Sequence, residues 1–236
     1  ESHEYYRGLE AFNGRPFTRL IWNMLERALI YKASRIITIN NSIAEKLSDS
    51  YSIPKPDVIY SCADYLVEKK SNLLRREYDI PQQNKIVIYI GVLRKGQGLE
   101  ILIDAVKNLD GIALAVIGNG PIEEYLKEKV KRLDIRDKVY FRDINLGGDL
   151  KDYLSSADIG ALVMEPVAEN NRLALPNKFF GYLAAGLPVI VSDLPELKRF
   201  VEDYDLGLAV DPDVECTAEA IDLLSHTPDL YDRYRN

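Results

Sequence analysis

Six short apolar runs, at 86–92, 112–117, 139–141, 159–163, 188–192 and 208–210, constrain this chain more than any other feature. Each reads as continuously apolar instead of alternating with polar residues. A strand of that kind is buried on both faces, as in a parallel sheet covered by helices on either side. Between the runs lie helix candidates at 98–108, 121–132, 149–155, 177–185, 195–203 and 216–225. Strands alternating with helices are βαβ units, so the expected class is α/β: a Rossmann-like, doubly wound parallel sheet. The chain has 236 residues, 47% of them hydrophobic, enough to bury such a sheet together with a smaller appendage.

The appendage precedes the sheet. Leu20, Ile21, Met24, Leu25, Ala28 and Leu29 recur at helical spacing. A β-like run at 35–39 follows, then Asn41 or Ser42 placed to cap a helix through about Ser48, with Glu45 near the capping-box position. Pro54 to Asp57 make a stiff break before a short strand at 58–60. We divide the chain into 1–60, an appendage and linker, and 61–236, the sheet domain. Glu1 is not a methionine, and the charged helical segment 230–236 runs to the last residue. Both ends read as truncations.

Charge and cysteine content exclude several functions. The net charge of −7 disfavours nucleic acid, whose polyanionic backbone calls for a basic face. Cys62 and Cys216 stand alone, without a closely spaced Cys/His cluster. A disulfide framework or a zinc site is not expected, and a reducing cytoplasm is the simplest setting. No run approaches the ~18 apolar residues of a membrane span.

In doubly wound sheets, ligands sit outside the carboxyl ends of the strands, in the loops entering the helices. Three loops qualify. Gly91 to Gly98 combines glycines, which admit close backbone approach, with Arg94, Lys95 and Gly96 ahead of a helix, an arrangement suited to phosphate or to a plain glycine-rich turn. Gly118-Asn119-Gly120-Pro121 is a strand-to-helix turn with Pro121 suited to the first helical position. In the third, Leu175 leads into Pro176, suited to the first helical position, so that Asn177 and Lys178 fall in the first turn. A lysine there opposes the helix dipole, and a bound diphosphate would relieve the conflict.

Residues 174–196, ALPNKFFGYLAAGLPVIVSDLPE, resemble the signature of the family 4 retaining glycosyltransferases of the GT-B fold, PNKxFEYxAAGxPVIxSxxPE. The other loops fall where that family has its KG and GxGP loops, and the likeness extends over nearly the whole chain. Such a resemblance implies a two-domain enzyme whose C-terminal Rossmann-like domain holds a nucleotide-sugar, a UDP- or GDP-sugar. A remnant of the acceptor domain would then occupy 1–60. The sugar would pass with retention to a glycan or lipid-linked acceptor without a catalytic metal or other cofactor. By the same resemblance Lys95 would neutralise the diphosphate, the amides at 176–178 would hold phosphate, Gly118 and Gly120 would line the nucleotide, and His3 would lie on the acceptor side. Surface polysaccharide synthesis at the cytoplasmic membrane face, with peripheral membrane contact, is the corresponding expectation. So is inactivity of this chain alone as a transferase.

The sequence departs from the pattern at two carboxylates. Gly181 stands where the family has the glutamate that holds the donor ribose, and Leu173 occupies the earlier glutamate position. Glu165 or Glu169 could reach the site from the preceding loop, or be plain solvated carboxylates. The linker and first loop also differ, with Ser61, Ala63 and Val92 at positions where relatives often carry Asn, Pro and Arg. These departures leave open a degenerate glycosyltransferase scaffold acting as a partner or regulatory subunit with weak donor binding. A GT-B nucleotide-sugar epimerase fits the scaffold but not the PNK signature.

Overall fold

The computed structural model describes residues 4–8, 14–62, 69–143 and 150–235. Among them, six parallel strands build the main sheet: β3 (Lys85–Ile90), β4 (Ile112–Ile117), β5 (Val139–Arg142), β6 (Ile159–Leu162), β7 (Val189–Ser192) and β8 (Gly207–Val210). Their order is β5-β4-β3-β6-β7-β8. All six apolar runs are strands, and β4 is buried at every position.

Alternate residues of each strand serve the two faces. On one, Ile86, Ile88 and Ile90 pack with Ala113, Ala115 and Ile117 under α3 (Leu73–Tyr78), α6 (Leu150–Ser155), α8 (Asn177–Ala184) and α9 (Pro195–Tyr204). On the other, Val87, Tyr89, Leu114 and Val116 pack against α4 (Leu99–Val106), α5 (Glu123–Arg132), α10 (Val214–His226) and α11 (Pro228–Arg235). The period of two along a strand therefore feeds two cores from one sheet. The six-residue α3 carries too little periodicity to be read from sequence; Asp158 ties it to the sheet. That buried carboxylate accepts from the Ile86 N–H at 2.9 Å and pairs with Arg75 at 2.9 Å and Lys70 at 3.1 Å.

The strand order reverses between β3 and β6. From β3 the chain winds outward through β4 and β5, then returns to β6 on β3's other side. The two strands share only the pairs Val87↔Ile159 and Ile88↔Gly160 before they diverge. Tyr182 of α8 fills the gap: its hydroxyl accepts from the Ile90 N–H at 3.0 Å and donates to Ala161 O at 3.2 Å. Gly160 lets the ring in, because a Cβ there would stand 2.6 Å from Tyr182 Cγ.

The first segment comprises α1 (Pro16–Ile30), a two-stranded parallel sheet of β1 (Ile37–Thr38) and β2 (Asp57–Val58), and α2 (Asn41–Tyr51). The cap of α2 is Asn40, not Asn41 or Ser42 as expected. Its Oδ1 accepts from the Ile43 N–H at 2.8 Å, while Glu45 pairs with Lys55 and closes no capping box. Burial of Asn40 selects it, since its Nδ2 also donates to Leu173 O at 2.8 Å. Glu196 of α9 receives the next two amides, from Asn41 at 3.2 Å and Ser42 at 2.9 Å, plus the Ser42 hydroxyl at 2.6 Å. Thus α2 is held to the sheet domain by a buried carboxylate at its N-terminus. The stripe predicted on α1 forms, but no residue of that helix is buried, and Phe17 is 81% exposed.

Candidate functional site

The loops that leave β3 and β6 meet at the reversal, and two cavities adjoin there. One, of about 490 Å³, is lined by Arg94, Gln97 and Asn171, by Leu175 to Lys178, and by Tyr6, Ile39 and Ile43 of the first segment. The other, of about 470 Å³, is lined by Ser61, Cys62, Ile90, Gly91, Leu150, Leu154, Gly181 and Tyr182. Pro176, Asn177 and Lys178 belong to both, so the start of α8 is the wall between them.

This start differs from the expected one. Pro176 is extended (φ −76°, ψ 149°) and acts as the N-cap, with Asn177 the first helical residue. Proline has no N–H, so it cannot supply one of the amides assigned to 176–178. The Phe179 N–H donates to Pro176 O at 2.9 Å. The N–H groups of Asn177 and Lys178 remain, and among the described residues neither finds an acceptor. Pro121 likewise sits in a turn, and α5 begins two residues after it.

Lys178 folds back from the helix start toward β3. Its ammonium lies 2.9 Å from the Tyr89 hydroxyl and 2.8 Å from Gln97 Oε1, and 4.1 Å from the Tyr89 ring centroid. The residue is half-buried, with its nitrogen against Tyr89 and Gln97. Gly91 closes the pocket, and a Cβ on it would approach Lys178 Nζ to 3.2 Å. Burial, with a smaller contribution from the Arg94 charge, lowers the Lys178 pKa to about 7. Burial also raises the Tyr89 pKa well above its ordinary value, so this phenol stays protonated and donates to Val92 O at 3.0 Å. Tyr89 and Gln97 were not read from the sequence: one was concealed in an apolar strand, the other in a glycine-rich turn.

The glycines of these loops also pack the scaffold. Gly118 (φ +143°) and Gly120 bring two loops back to back, since a Cβ at Gly118 would stand 2.0 Å from Gly91 O and one at Gly120 2.3 Å from Leu93 O. Neither lines the two cavities. Gly96 faces Val167, and its carbonyl accepts from the Glu165 N–H at 3.1 Å. Lys95 is exposed and outside both linings, whereas Arg94 faces the larger cavity. His3 lies outside the described residues.

Neither glutamate proposed as a substitute carboxylate lines the cavities. Glu169 pairs with Lys46 of α2 at 2.6 Å. Leu173 packs onto the apolar cluster of Tyr5, Ile43, Leu47 and Tyr51. Where the resemblance implied acids, this chain has a helix-docking leucine and an uncharged cavity wall. Asp211, Asp213 and Cys216 form the one group of potential metal ligands among the described residues; Asp213 already caps α10 through the Cys216 N–H at 2.8 Å. No helix among the described residues is long and apolar enough to cross a membrane.

In a parallel doubly wound sheet ligands sit at the strand reversal, and here a cationic helix start lies there. Residues 70–236 match the family model described as glycosyl transferases group 1, and the chain belongs to that family. It is 27% identical over 200 residues to an uncharacterized glycosyltransferase of Methanocaldococcus jannaschii, covering 80% of this chain and 50% of that protein. A chitobiosyldiphosphodolichol beta-mannosyltransferase of Candida albicans is 25% identical over 228 residues, covering 89% of this chain and 49% of that protein. The chain thus spans about half the length of these curated relatives. The crystal structure of Anabaena HepE in complex with UDP-glucose shares the fold: TM-score 0.68, 18% identity, 84% of this chain and 56% of that one.

Proposed function

We propose that this chain forms the donor-binding half of a retaining glycosyltransferase that moves a sugar from a UDP- or GDP-sugar to a glycan or lipid-linked acceptor. The observation that carries the reading is the start of α8. Two free amides, the half-buried Lys178 and the facing Arg94 converge between two cavities, with no carboxylate hydrogen-bonded to the lysine among the described residues. A diphosphate fits that set, because helix N–H groups and cations both favour an anion. The nucleoside would extend into the cavity by Gly181 and the sugar into the one by Asn171. HepE, which shares the fold, is solved with UDP-glucose, and this supports the same ligand class here.

Leaving-group stabilisation is the proposed chemistry. As the glycosidic bond to the diphosphate lengthens, charge builds on the departing oxygens, and preorganised N–H groups and cations stabilise it. The roles of Arg94, Asn177 and Lys178 follow from their positions; that of Lys95 requires the exposed side chain to swing inward. Residues 1–60 are proposed as part of the acceptor domain and linker, 61–236 as the donor domain. No metal enters the scheme. Synthesis of a surface polysaccharide or glycoconjugate, at the cytoplasmic membrane face with peripheral contact, is the proposed setting.

Calorimetric titration with UDP and GDP, for wild type and Gly181→Glu, tests the proposal. Saturable binding of one nucleotide by wild type is expected, and the variant should gain no more than about ten- to hundredfold, the worth of a charge-assisted hydrogen bond. The absence of carboxylates at 173 and 181 favours one alternative, a scaffold that has lost its donor. Under that alternative wild type binds neither nucleotide, and only the variant does.

A further inference from the structure

A lysine ammonium enclosed in a protein ordinarily has a carboxylate beside it, because an unpaired buried charge is costly. Lys178 has none hydrogen-bonded to it among the described residues. Its hydrogen-bond partners, the Tyr89 hydroxyl and Gln97 Oε1, are neutral. Among the described residues, the titratable or charged side chains around it are few. They are Tyr89 on β3, Arg94 on the β3–α4 loop, Glu4 and Tyr6 in the lining of the larger cavity, Cys62 in the linker, and Tyr182 on α8 itself. Arg94 disfavours a second cation, and Glu4, the one carboxylate in these linings among the described residues, is exposed.

We propose that anion binding in this cleft is proton-coupled: Lys178, set beside Arg94 and held only by neutral partners, gives up its proton more readily when the cleft is empty and takes one up from solvent as a diphosphate arrives. This rests on the donor-site reading above. The incoming oxygens would lie against the free Asn177 and Lys178 amides, between Lys178 and Arg94. Two negative charges then offset both the desolvation and the Arg94 repulsion that disfavoured the ammonium. The lysine is thereby a positioning cation that becomes fully charged only with its ligand. The lowering of its pKa to about 7 in the empty cleft agrees in direction. Above that point affinity should fall toward tenfold per pH unit, since each unit of deprotonation must be reversed on binding. Below it, affinity should be nearly flat.

Two measurements test this. The first is a titration of the empty chain carrying 13Cε-labelled lysine, followed by NMR, with Lys178→Met assigning the signal. One lysine midpoint near 7 is expected, moving up in excess sulfate, an anion that does not itself titrate near neutrality. A Lys178 midpoint in the ordinary lysine range near ~10.4, or one that sulfate leaves unmoved, overturns the proposal. The second is calorimetry with UDP-glucose from about pH 6.5 to 8.5 in buffers of different ionisation enthalpy, the phosphodiester ligand having no proton to exchange there. Uptake near one proton at the alkaline end, smaller in Arg94→Gln, is expected. Tight binding without proton uptake refutes the coupling and leaves the donor-site reading intact. Failure of UDP-glucose to bind counts against its use as donor, and the sulfate titration then decides the coupling independently.

Discussion

Replacing Glu196 gives a direct test of how the first segment is held to the sheet domain. This side chain is fully buried and accepts three hydrogen bonds from Asn41 and Ser42 at the start of α2 while pairing with Arg199. Glu196→Ala strands two helix N–H groups and a hydroxyl, and leaves Arg199 without its partner. Breaking one side of a buried, hydrogen-bonded ion pair costs about 3–5 kcal/mol. Arg199 is itself partly exposed, so water recovers some of its loss and the lower end of that range applies. For a domain of this size about 1 kcal/mol moves Tm by roughly 2–4 °C, giving an expected drop of roughly 6–12 °C. Glu196→Gln keeps the shape but points an amide NH₂ at donors, and should lose about half as much. Thermal unfolding followed by far-UV circular dichroism, with hydrogen exchange at Asn41 and Ser42, reads both quantities. A Tm for Glu196→Ala within about 2 °C of wild type, with those amides still protected, would refute the reasoning.

Other positions give sharp expectations. Gly118→Ala places a Cβ 2.0 Å from Gly91 O at a positive φ, and should destabilise the fold by about 2–4 kcal/mol by urea titration while weakening nucleotide binding through the displaced loop. Asp158→Asn, which weakens the tie from α3 to β3, should lower stability by about 2–4 kcal/mol, read as a shift in the urea midpoint at constant slope. The lowered Lys178 pKa sets a pH dependence of folding. Between about 7 and 10.5 the unfolded chain holds this proton and the folded chain has lost it, so stability gains a rising component across that window and is lowest below it. Lys178→Met lacks that component. Its stability advantage over wild type, on the order of 1–3 kcal/mol at pH 7 or below, should shrink as pH rises toward 10, by differential thermal unfolding.

The α/β class was legible because it depends on local pattern. Runs such as Ile112 to Ile117 and Ile86 to Ile90 have no polar face to offer water, and the spacing between runs leaves room only for crossover helices. The start of α8 was legible too, from Pro176 and the residues after it, although the proline proved to be the cap and not the first helical residue. Less of the site was legible. Loop glycines that looked ligand-facing, Gly118 and Gly120, serve to pack one loop on another. Tyr89 looked like core, yet its hydroxyl holds Lys178.

By itself, then, the sequence determined the sheet, the alternation of its helices and the cationic character of the loops beyond β3 and β6, since these follow from side-chain period and composition. Tertiary structure decided which residues share a cavity. It placed Arg94 toward the cleft and left Lys95 outside it, paired Glu169 with Lys46, buried Glu196 under α2, and set the Lys178 ammonium against the neutral Tyr89 and Gln97. Those outcomes depend on contacts between residues as much as 155 positions apart in the chain, and on desolvation, which no local pattern of residues encodes.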